Sequence, residues 1–461
     1  MEVRRRFRKG LFRRGHALVS SPRLWRSRLV FWAGALATGL VSVLFAVLAD
    51  RAQGLFQGLT TGGGWHLWLP LVLTPAGMVA CAVLADRYFP GSQGSGIPQA
   101  IAARHLRTDE ERAHLLSLRL ALGKIGLTVA ALASGASIGR EGPTVQVGAS
   151  LMLMSARVGG MSQARGLILA GSAAGIAAAF NTPLAGIVFA IEEMSRSYQA
   201  RTNGVVLSAV IIAGVASLAV LGSYSYFGVV RDVAEFPDDW LLVVLCGVLG
   251  GFCGAMFSQA TLWITRRIRA IKAVGRVRRL MLVALVAGLV VAVVGIATDG
   301  MTFGTSYGHA RDGIEGATLP WYFFPGKFLA TLASTVAGIP GGLFAPSLAV
   351  GAGLGSLLGA LLGSSAGLAA VLGMAGYFAG VVQAPMTAFV IILEMTGNHA
   401  NVVPIMAASM LGYGTARLFA REPLYHALSR LWAADVLRKV RAAQVEAEAG
   451  GAAGQGGVRA E

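Results

Sequence analysis

Long apolar runs along most of the chain constrain its fold more than any other feature. Several approach the roughly 20 residues that a helix needs to cross the hydrocarbon core of a bilayer. The clearest runs are 29–49, 67–85, 205–221, 241–257 and 280–297. Charged residues make up only 13% of the chain, against about 25% in an average soluble domain. We therefore expect an all-α polytopic membrane protein.

Glycine is unusually abundant, with 62 residues of this type. In lipid, small residues let helices pack closely. Clusters such as GSGIP at 94–98 and GIPGGLF at 338–344 also interrupt helices. Interrupted backbone at membrane depth is tolerated only where protein buries it or where it lines a water-filled cavity. This pattern favours a transporter or channel over a simple receptor bundle.

The formal net charge of +17 does not indicate nucleic-acid binding. Ten arginines and lysines lie within residues 1–28, directly before the first apolar run. We interpret 1–28 as a basic cytoplasmic segment that contacts anionic lipid, followed by a retained helix rather than a cleaved signal. The three cysteines lie in apolar segments without metal-ligand spacing, so we expect neither a metal nor a cofactor.

Two pairs of matching segments indicate an internal repeat. GREGPTVQVG at 139–148 and GLFAPSLAVG at 342–351 share the pattern GxxxPxxxVG. PLAGIVFAIE at 183–192 and PMTAFVIILE at 385–394 form a second pair, and the separation within this pair is almost the same as within the first. We expect two related membrane halves, 29–222 and 238–420, followed by 421–461 as a C-terminal helix and a short disordered tail from Arg441 onward.

The charges between the apolar runs predict an orientation. The connector between the halves carries Asp232, Glu235, Asp238 and Asp239, and seven arginines and lysines follow one crossing later, within 266–279. If the second half is inverted relative to the first, the positive-inside rule makes the basic cluster cytoplasmic and the acidic connector external.

Two charged residues, Arg140 and Glu141, stand alone within 125–156. Ionised groups inside a membrane are costly and are a functional-site hypothesis by default. The glycine clusters nearby expose helix N-termini, whose unpaired N–H groups and positive dipole end attract anions.

Five segments together resemble the CLC family of chloride channels and proton/chloride antiporters. They are GSGIPQA at 94–100, GREGP at 139–143, AAAFNTPLAGIVFAIEEM at 177–194, GIPGGLFAP at 338–346 and EPLY at 422–425. The resemblance covers nearly the whole membrane region and points to the bacterial type, without a C-terminal regulatory domain. It implies a CLC-type fold of two inverted-repeat halves with tilted and re-entrant helices. It also implies a homodimer in a bacterial inner membrane, transporting chloride and protons.

The resemblance also assigns site residues. Ser95 and Tyr425 would contact chloride through their hydroxyls, and the backbone at Gly96, Ile97, Leu343 and Phe344 would complete the anion site. Glu141 would be the gating glutamate, since its carboxylate can compete with an anion when ionised and leave when protonated. Glu193 would be the internal proton relay, and Lys124 and Arg140 would raise the positive potential, although Arg140 could equally form a structural ion pair. Gln99 departs from the glutamate of many relatives, which concerns helix contacts more than the anion.

Three other functions remain open. A passive chloride channel of the same fold, gated by voltage or pH, would differ from an antiporter mainly at Glu193. A fluoride/proton antiporter is disfavoured by Ser95 and Tyr425. An intramembrane protease rests only on GSSAG at 363–367, centred on Ser365, and this motif needs a strand–turn–helix context.

Overall fold

The computed structural model describes residues 22–161, 163–195, 200–222, 227–228, 230, 232–271, 273, 275–397 and 399–456. Over these ranges the chain is helical, and its β-type pairings are two isolated bridges. Eight of the described helical segments are long and apolar enough to cross a membrane. The protein is thus an all-α multi-pass membrane protein.

The described part of the first half contains nine α-helices. They are α1 (Pro22–Thr60), α2 (Pro70–Arg87), α3 (Ile97–His105), α4 (Asp109–Ala113), α5 (Leu118–Ala133), α6 (Glu141–Gly159), α7 (Ala164–Phe180), α8 (Pro183–Phe189) and α9 (Ala200–Leu221). A short 3₁₀ helix, Gly64–Trp68, precedes α2, and a π-helical turn, Ala190–Ser195, continues α8.

The second half follows the acidic connector. Its α-helices are α10 (Trp240–Ala270), α11 (Arg276–Ala297), α12 (Tyr307–Ile314), α13 (Phe323–Val336), α14 (Phe344–Leu362), α15 (Ala366–Val382), α16 (Pro385–Thr396), α17 (Val402–Phe419) and α18 (Leu424–Gly456). A 3₁₀ turn, His399–Asn401, precedes α17.

Two pairs of corresponding helices match in length and in the way they end. Helices α6 and α14 each have 19 residues, and both end at a left-handed glycine. Helices α7 and α15 each have 17 residues, and both end at a left-handed residue that is not glycine, Asn181 with φ 57° and Gln383 with φ 55°. Left-handed backbone is uncommon outside glycine, so its recurrence supports a duplicated fold. We keep 29–222 and 238–420 as the proposed limits of the repeats.

A reciprocal exchange of carboxylates joins the halves. Glu192, at the end of the first repeat motif, accepts hydrogen bonds from the N–H groups of Met386 (3.1 Å) and Thr387 (2.6 Å) at the start of α16. Glu394 accepts from Leu184 (3.1 Å) and Ala185 (2.7 Å) at the start of α8. Each carboxylate therefore caps the helix of the other half, where the N-terminal dipole favours a negative charge.

Glycines allow the helices of each half to touch through their backbones. A Cβ on Gly148 of α6 would collide with the carbonyl of Gly171 in α7, and one on Gly351 of α14 would lie 2.6 Å from the Cα of Met374 in α15. Such close contacts are typical of helices that pack in lipid. They form the rigid core that surrounds the central loops.

One face of the molecule gathers basic residues. Helix α10 ends within the basic cluster 266–279, where Arg269 pairs with Asp435 of α18 at 3.0 Å. Arg276, at the start of α11, pairs with Asp86 near the end of α2 at 2.5 Å. We call this the basic face; its cytoplasmic orientation stays a prediction from the positive-inside rule.

The ends of the chain differ in part from the sequence prediction. Residues 1–21 of the basic segment lie outside the described residues, and α1 begins at Pro22. We expected a disordered tail from Arg441 onward, whereas α18 continues as far as Gly456. This stretch is rich in alanine, glutamate and glutamine, which are good helix formers and outweigh its glycines.

Candidate anion and proton site

Three glycine-containing loops meet at the centre of the structure and are tied by backbone hydrogen bonds. The Gly94 amide donates to Ile339 at 2.9 Å, and the Gly341 amide donates to Gly94 at 3.1 Å. Gly139 and Gly342 exchange two bonds, at 2.8 and 2.7 Å. The loops before α3, α6 and α14, which the sequence singled out separately, therefore form one unit.

Four helices begin around this unit. Helix α6 starts at Glu141 and α14 at Phe344, directly after the paired glycines, and α3 starts at Ile97. The Phe344 ring lies 6.0 Å from the ring of Tyr425, which is the second residue of α18. Since the first N–H groups of each helix lack intrahelical acceptors, the region is rich in donors for an anion.

The close approach of these loops requires glycine at two positions. A Cβ on Gly142 would lie 2.8 Å from the carbonyl oxygen of Ser95 and would also collide with its hydroxyl. Gly96 has φ +100°, and a Cβ there would lie 2.8 Å from the Gly142 carbonyl oxygen. The glycines thus let the start of α6 pack directly against Ser95.

Two neighbouring hydroxyls lie in this space. Ser95 is 7% exposed and Tyr425 is fully buried. Each lies close enough to the other to interact, yet neither hydroxyl completes a hydrogen bond with the protein among the described residues. Buried hydroxyls normally find a partner. This pair is therefore able to donate to a bound anion.

The other predicted anion contacts have different environments. Ile97, Leu343 and Phe344 are buried at the starts of α3 and α14. The Gly96 amide donates to Gln99 Oε1 at 3.1 Å, so this amide is already used within its own loop. Gln99 is fully buried and folds back on the loop through its amide nitrogen as well, to Gly91 and Gln93.

Glu141 is fully buried at the first position of α6. One of its carboxylate oxygens lies over Gly139, at a position that a Cβ on that glycine would obstruct. The N-terminal end of a helix stabilises a negative charge. The carboxylate is therefore held beside the paired loops, in a position suited to an anion.

The two cations predicted to support the site make specific contacts. Arg140 pairs with Asp50 of α1 at 3.0 Å and donates to the Ala46 carbonyl at 2.6 Å, which makes it a link between α1 and α6. Lys124 is fully buried, and its Nζ donates to the carbonyls of Ser92 (2.7 Å) and Gly94 (2.5 Å). Lys124 thus fixes the loop that carries Ser95.

Glu193 lies in the π-helical turn that follows α8 and is 2% exposed. Single π turns occur frequently at functional sites. Both Glu193 and Glu141 lie within electrostatic reach of the Tyr425 hydroxyl. The structure therefore brings two buried carboxylates and the two hydroxyls to one region, although the carboxylates come from different helices.

A cavity of about 600 Å³ leads from the basic face to this region. Its inner end is lined by Ser95, Gly341 and Leu343. Its mouth carries five basic residues, Arg269, Arg276, Arg279, Arg438 and Lys439, against two acids, Asp86 and Asp435. A basic mouth raises the local concentration of anions.

Sequence reasoning missed two polar neighbours of the site. Lys327 of α13 is fully buried and donates to Ser137 Oγ (2.9 Å) and to the carbonyls of Gly304 (2.7 Å) and Thr302 (3.1 Å). It occupies the place of Lys124 in the second half, so a longer repeat alignment would have found it. The other is His426, directly after Tyr425, for which the sequence contains no motif.

The protease hypothesis finds no support at Ser365. Its hydroxyl accepts a hydrogen bond from the Leu368 amide at 3.5 Å as the N-cap of α15, and it also contacts Asp232. The serine thus begins a helix without the preceding strand that the nucleophile motif requires.

Comparison with known proteins agrees with this architecture. Residues 76–417 match the family model described as voltage gated chloride channel. A slow cyanobacterial Cl⁻/H⁺ antiporter is 23% identical, with a TM-score of 0.76 over 89% of this chain and 98% of its own. A eukaryotic CLC transporter is also 23% identical, with a TM-score of 0.74 over 88% of this chain and 74% of its own. A CLC-type fluoride/proton antiporter is 21% identical, with a TM-score of 0.72 over 88% of this chain and 98% of its own.

These likenesses establish the fold, with two inverted-repeat halves and tilted, re-entrant helices. The family match covers most of the chain, including three of the four helix starts that meet at the centre. The chain therefore belongs to the voltage gated chloride channel family, the CLC family.

Proposed function

We propose that this protein is a proton-coupled chloride antiporter. Members of its family are channels and transporters rather than enzymes. The observation that carries the proposal is the pair of buried carboxylates, Glu141 and Glu193, which both lie within electrostatic reach of Tyr425. A passive pore needs donors for its anion; the second buried acid favours a path for protons.

Chloride would bind between the hydroxyls of Ser95 and Tyr425, with the amides of Ile97, Leu343 and Phe344 as further donors. Hydroxyls and amides donate hydrogen bonds without a full positive charge, so the anion binds and still leaves. The ammonium group that contacts the Ser95 loop, that of Lys124 in α5, is engaged by two backbone carbonyls. It contributes potential rather than a direct contact.

Glu141 would alternate with chloride. When ionised, its carboxylate occupies the anion-favouring start of α6; when protonated, it loses that attraction and moves aside. Each cycle would then exchange a proton on Glu141 for the passage of chloride. Glu193 would supply or remove that proton from the basic face.

Two alternatives of the same fold remain. A passive chloride channel would use the same anion contacts with Glu193 as a structural acid. A fluoride/proton antiporter is the described activity of one protein of similar fold, but we favour chloride because Ser95 and Tyr425 place two buried hydroxyls at the proposed site.

We also propose a homodimeric assembly in a bacterial inner membrane. Exposed apolar residues on the described helices include Leu184, Val215 and Leu218, which lipid or a second copy would cover. Size-exclusion chromatography with light scattering would test the dimer, and a monomeric mass in detergent and in nanodiscs would reject it.

Flux through liposomes tests the transport proposal. Purified protein is reconstituted in vesicles with high internal chloride, and external chloride and pH are recorded together. Chloride efflux that drives protons into the vesicles against their gradient supports the antiporter. Chloride efflux without proton movement indicates the passive channel, and fluoride efflux without chloride efflux indicates the fluoride/proton antiporter.

A further inference from the structure

His426 connects the buried Glu193 with the basic face. Its ring nitrogen Nε2 lies 2.9 Å from the Glu193 backbone oxygen and 3.7 Å from the carboxylate oxygen Oε1. The His426 side chain is 17% exposed, whereas that of Glu193 is 3% exposed. The imidazole is therefore the more accessible partner of a carboxylate that is almost sealed from water.

We propose that His426 transfers protons between water at the basic face and Glu193. The inference rests on the proposed role of Glu193 as a proton relay and adds the group that serves it. Imidazole is the side chain that gains and loses a proton near neutral pH. It also has two nitrogens, so one can accept a proton while the other releases one.

The proton would pass through the two ring nitrogens of His426. A carbonyl oxygen only accepts, so Nε2 carries the hydrogen that faces the Glu193 backbone. A proton taken from water at Nδ1 converts the ring to imidazolium. The imidazolium then releases its Nε2 proton to Oε1 of Glu193, which leaves a neutral ring and a neutral carboxyl. The Nε2–Oε1 distance of 3.7 Å must shorten by a small side-chain rotation for this step.

The π-helical turn provides the geometry for this contact. Arg104 at the end of α3 donates to the Met194 carbonyl, and His426 donates to the carbonyl of Glu193. Two donors thus hold successive carbonyls of the turn and keep the Glu193 carboxylate close to the ring. The neighbouring Tyr425 connects the same segment of α18 to the proposed chloride site.

The other ionisable groups on elements packed against α18 are mostly engaged. Arg104 holds Met194, Arg112 of α4 pairs with Asp109, Arg269 of α10 pairs with Asp435, and Arg430 pairs with Glu422. His105 lies exposed at the end of α3. His426 contacts the Glu193 carboxylate directly, at 3.7 Å.

Proton flux in liposomes tests the proposal with two variants. His426→Gln keeps an N–H donor for the Glu193 carbonyl but cannot carry a proton, and His426→Ala removes both. We expect both to move chloride with at least about tenfold fewer protons per chloride, a smaller loss than the roughly 10²–10⁴-fold that a positioned proton-transfer group typically contributes. Imidazole added on the side of the basic face should restore proton flux in His426→Ala. His105→Gln is the matched control, and its proton-to-chloride ratio should equal that of the unmodified protein.

The outcomes separate this inference from the function on which it rests. If Glu193→Gln abolishes proton flux while His426→Gln retains it, Glu193 is the relay and the role of His426 is structural. If Glu193→Gln retains proton flux, the proposed role of Glu193 as the internal proton relay of the antiporter is wrong. The pH dependence gives a further check, because loss of the imidazole should flatten the response of proton flux between about pH 5 and 8.

Discussion

Helices α6 and α14 begin with nearly the same backbone and with different chemistry. Arg140 and Leu343, the residues before them, have φ −103° and −106° and ψ −16° and −15°. The first helical residue is Glu141 in one half and Phe344 in the other. The duplicated halves thus have equivalent helix starts that differ in their side chains. One start carries a carboxylate, and the other carries an apolar side chain and first-turn amides that lack intrahelical acceptors.

The largest expected effect follows from removing the acidic side of this comparison. In Glu141→Ala, both helix starts lack a carboxylate, so an anion can occupy the site at all times. Proton flux should fall to the leak of protein-free liposomes while chloride flux continues. Parallel recordings of chloride and pH check this. Glu192→Gln, which alters a carboxylate that caps α16, is the matched control and should keep coupling; persistent coupling in Glu141→Ala would reject the gate.

The buried lysines are a second place where the two halves are equivalent in position and differ in what they hold. Lys124 holds the loop that carries Ser95, and Lys327 holds the loop before α12. Replacing either with methionine leaves at least two carbonyls without a donor, and each costs about 1–3 kcal/mol of unfolding free energy. We expect both variants to lose thermal stability, measured by tryptophan fluorescence in detergent. Calorimetric titration should show weaker chloride binding only in Lys124→Met; an equal loss in both would contradict a local role for Lys124.

A third prediction concerns the first turn of each helix. The repeat aligns Gly142 with Ala345, which is a buried residue in the second half. Gly142→Ala places a methyl group against Ser95 and should cost about 1–3 kcal/mol of stability through overpacking. Chloride affinity should fall as well, because the Ser95 hydroxyl is displaced.

The reverse change provides the control. Ala345→Gly should cost only about 0.5–1 kcal/mol, the ordinary price of glycine in a helix. Chemical denaturation and chloride titration would measure both changes. Unchanged chloride affinity in Gly142→Ala would mean that Ser95 does not depend on this contact.

The repeat explains how much the sequence could predict. GREGP and GIPGGLFAP were recognisable because glycine permits unusual backbone conformations and proline favours the first turn of a helix. Those positions proved to be adjacent helix starts. The pairing of Gly139 with Gly342, and the Lys124 contact with Gly94, depend on loops distant in the chain and have no local signature. His426 also has no local signature, because its contact with Glu193 depends on the fold, which brings α18 beside the π-helical turn. The C-terminal helix was expected, but its composition did not indicate that it continues past Arg441.

The smallest expected effect lies at the symmetric carboxylates. Glu192 and Glu394 cap each other's helices through similar pairs of hydrogen bonds, so neither half differs here as α6 and α14 do. Glu192→Gln and Glu394→Gln each keep one acceptor oxygen and lose the charge at a helix N-terminus, which contributes about 0.3–1 kcal/mol. We expect small and nearly equal decreases in thermal stability, with proton coupling intact. A loss of proton coupling in only one variant would show that the two carboxylates differ in function although their contacts are alike. It would place that carboxylate on the proton path together with Glu193.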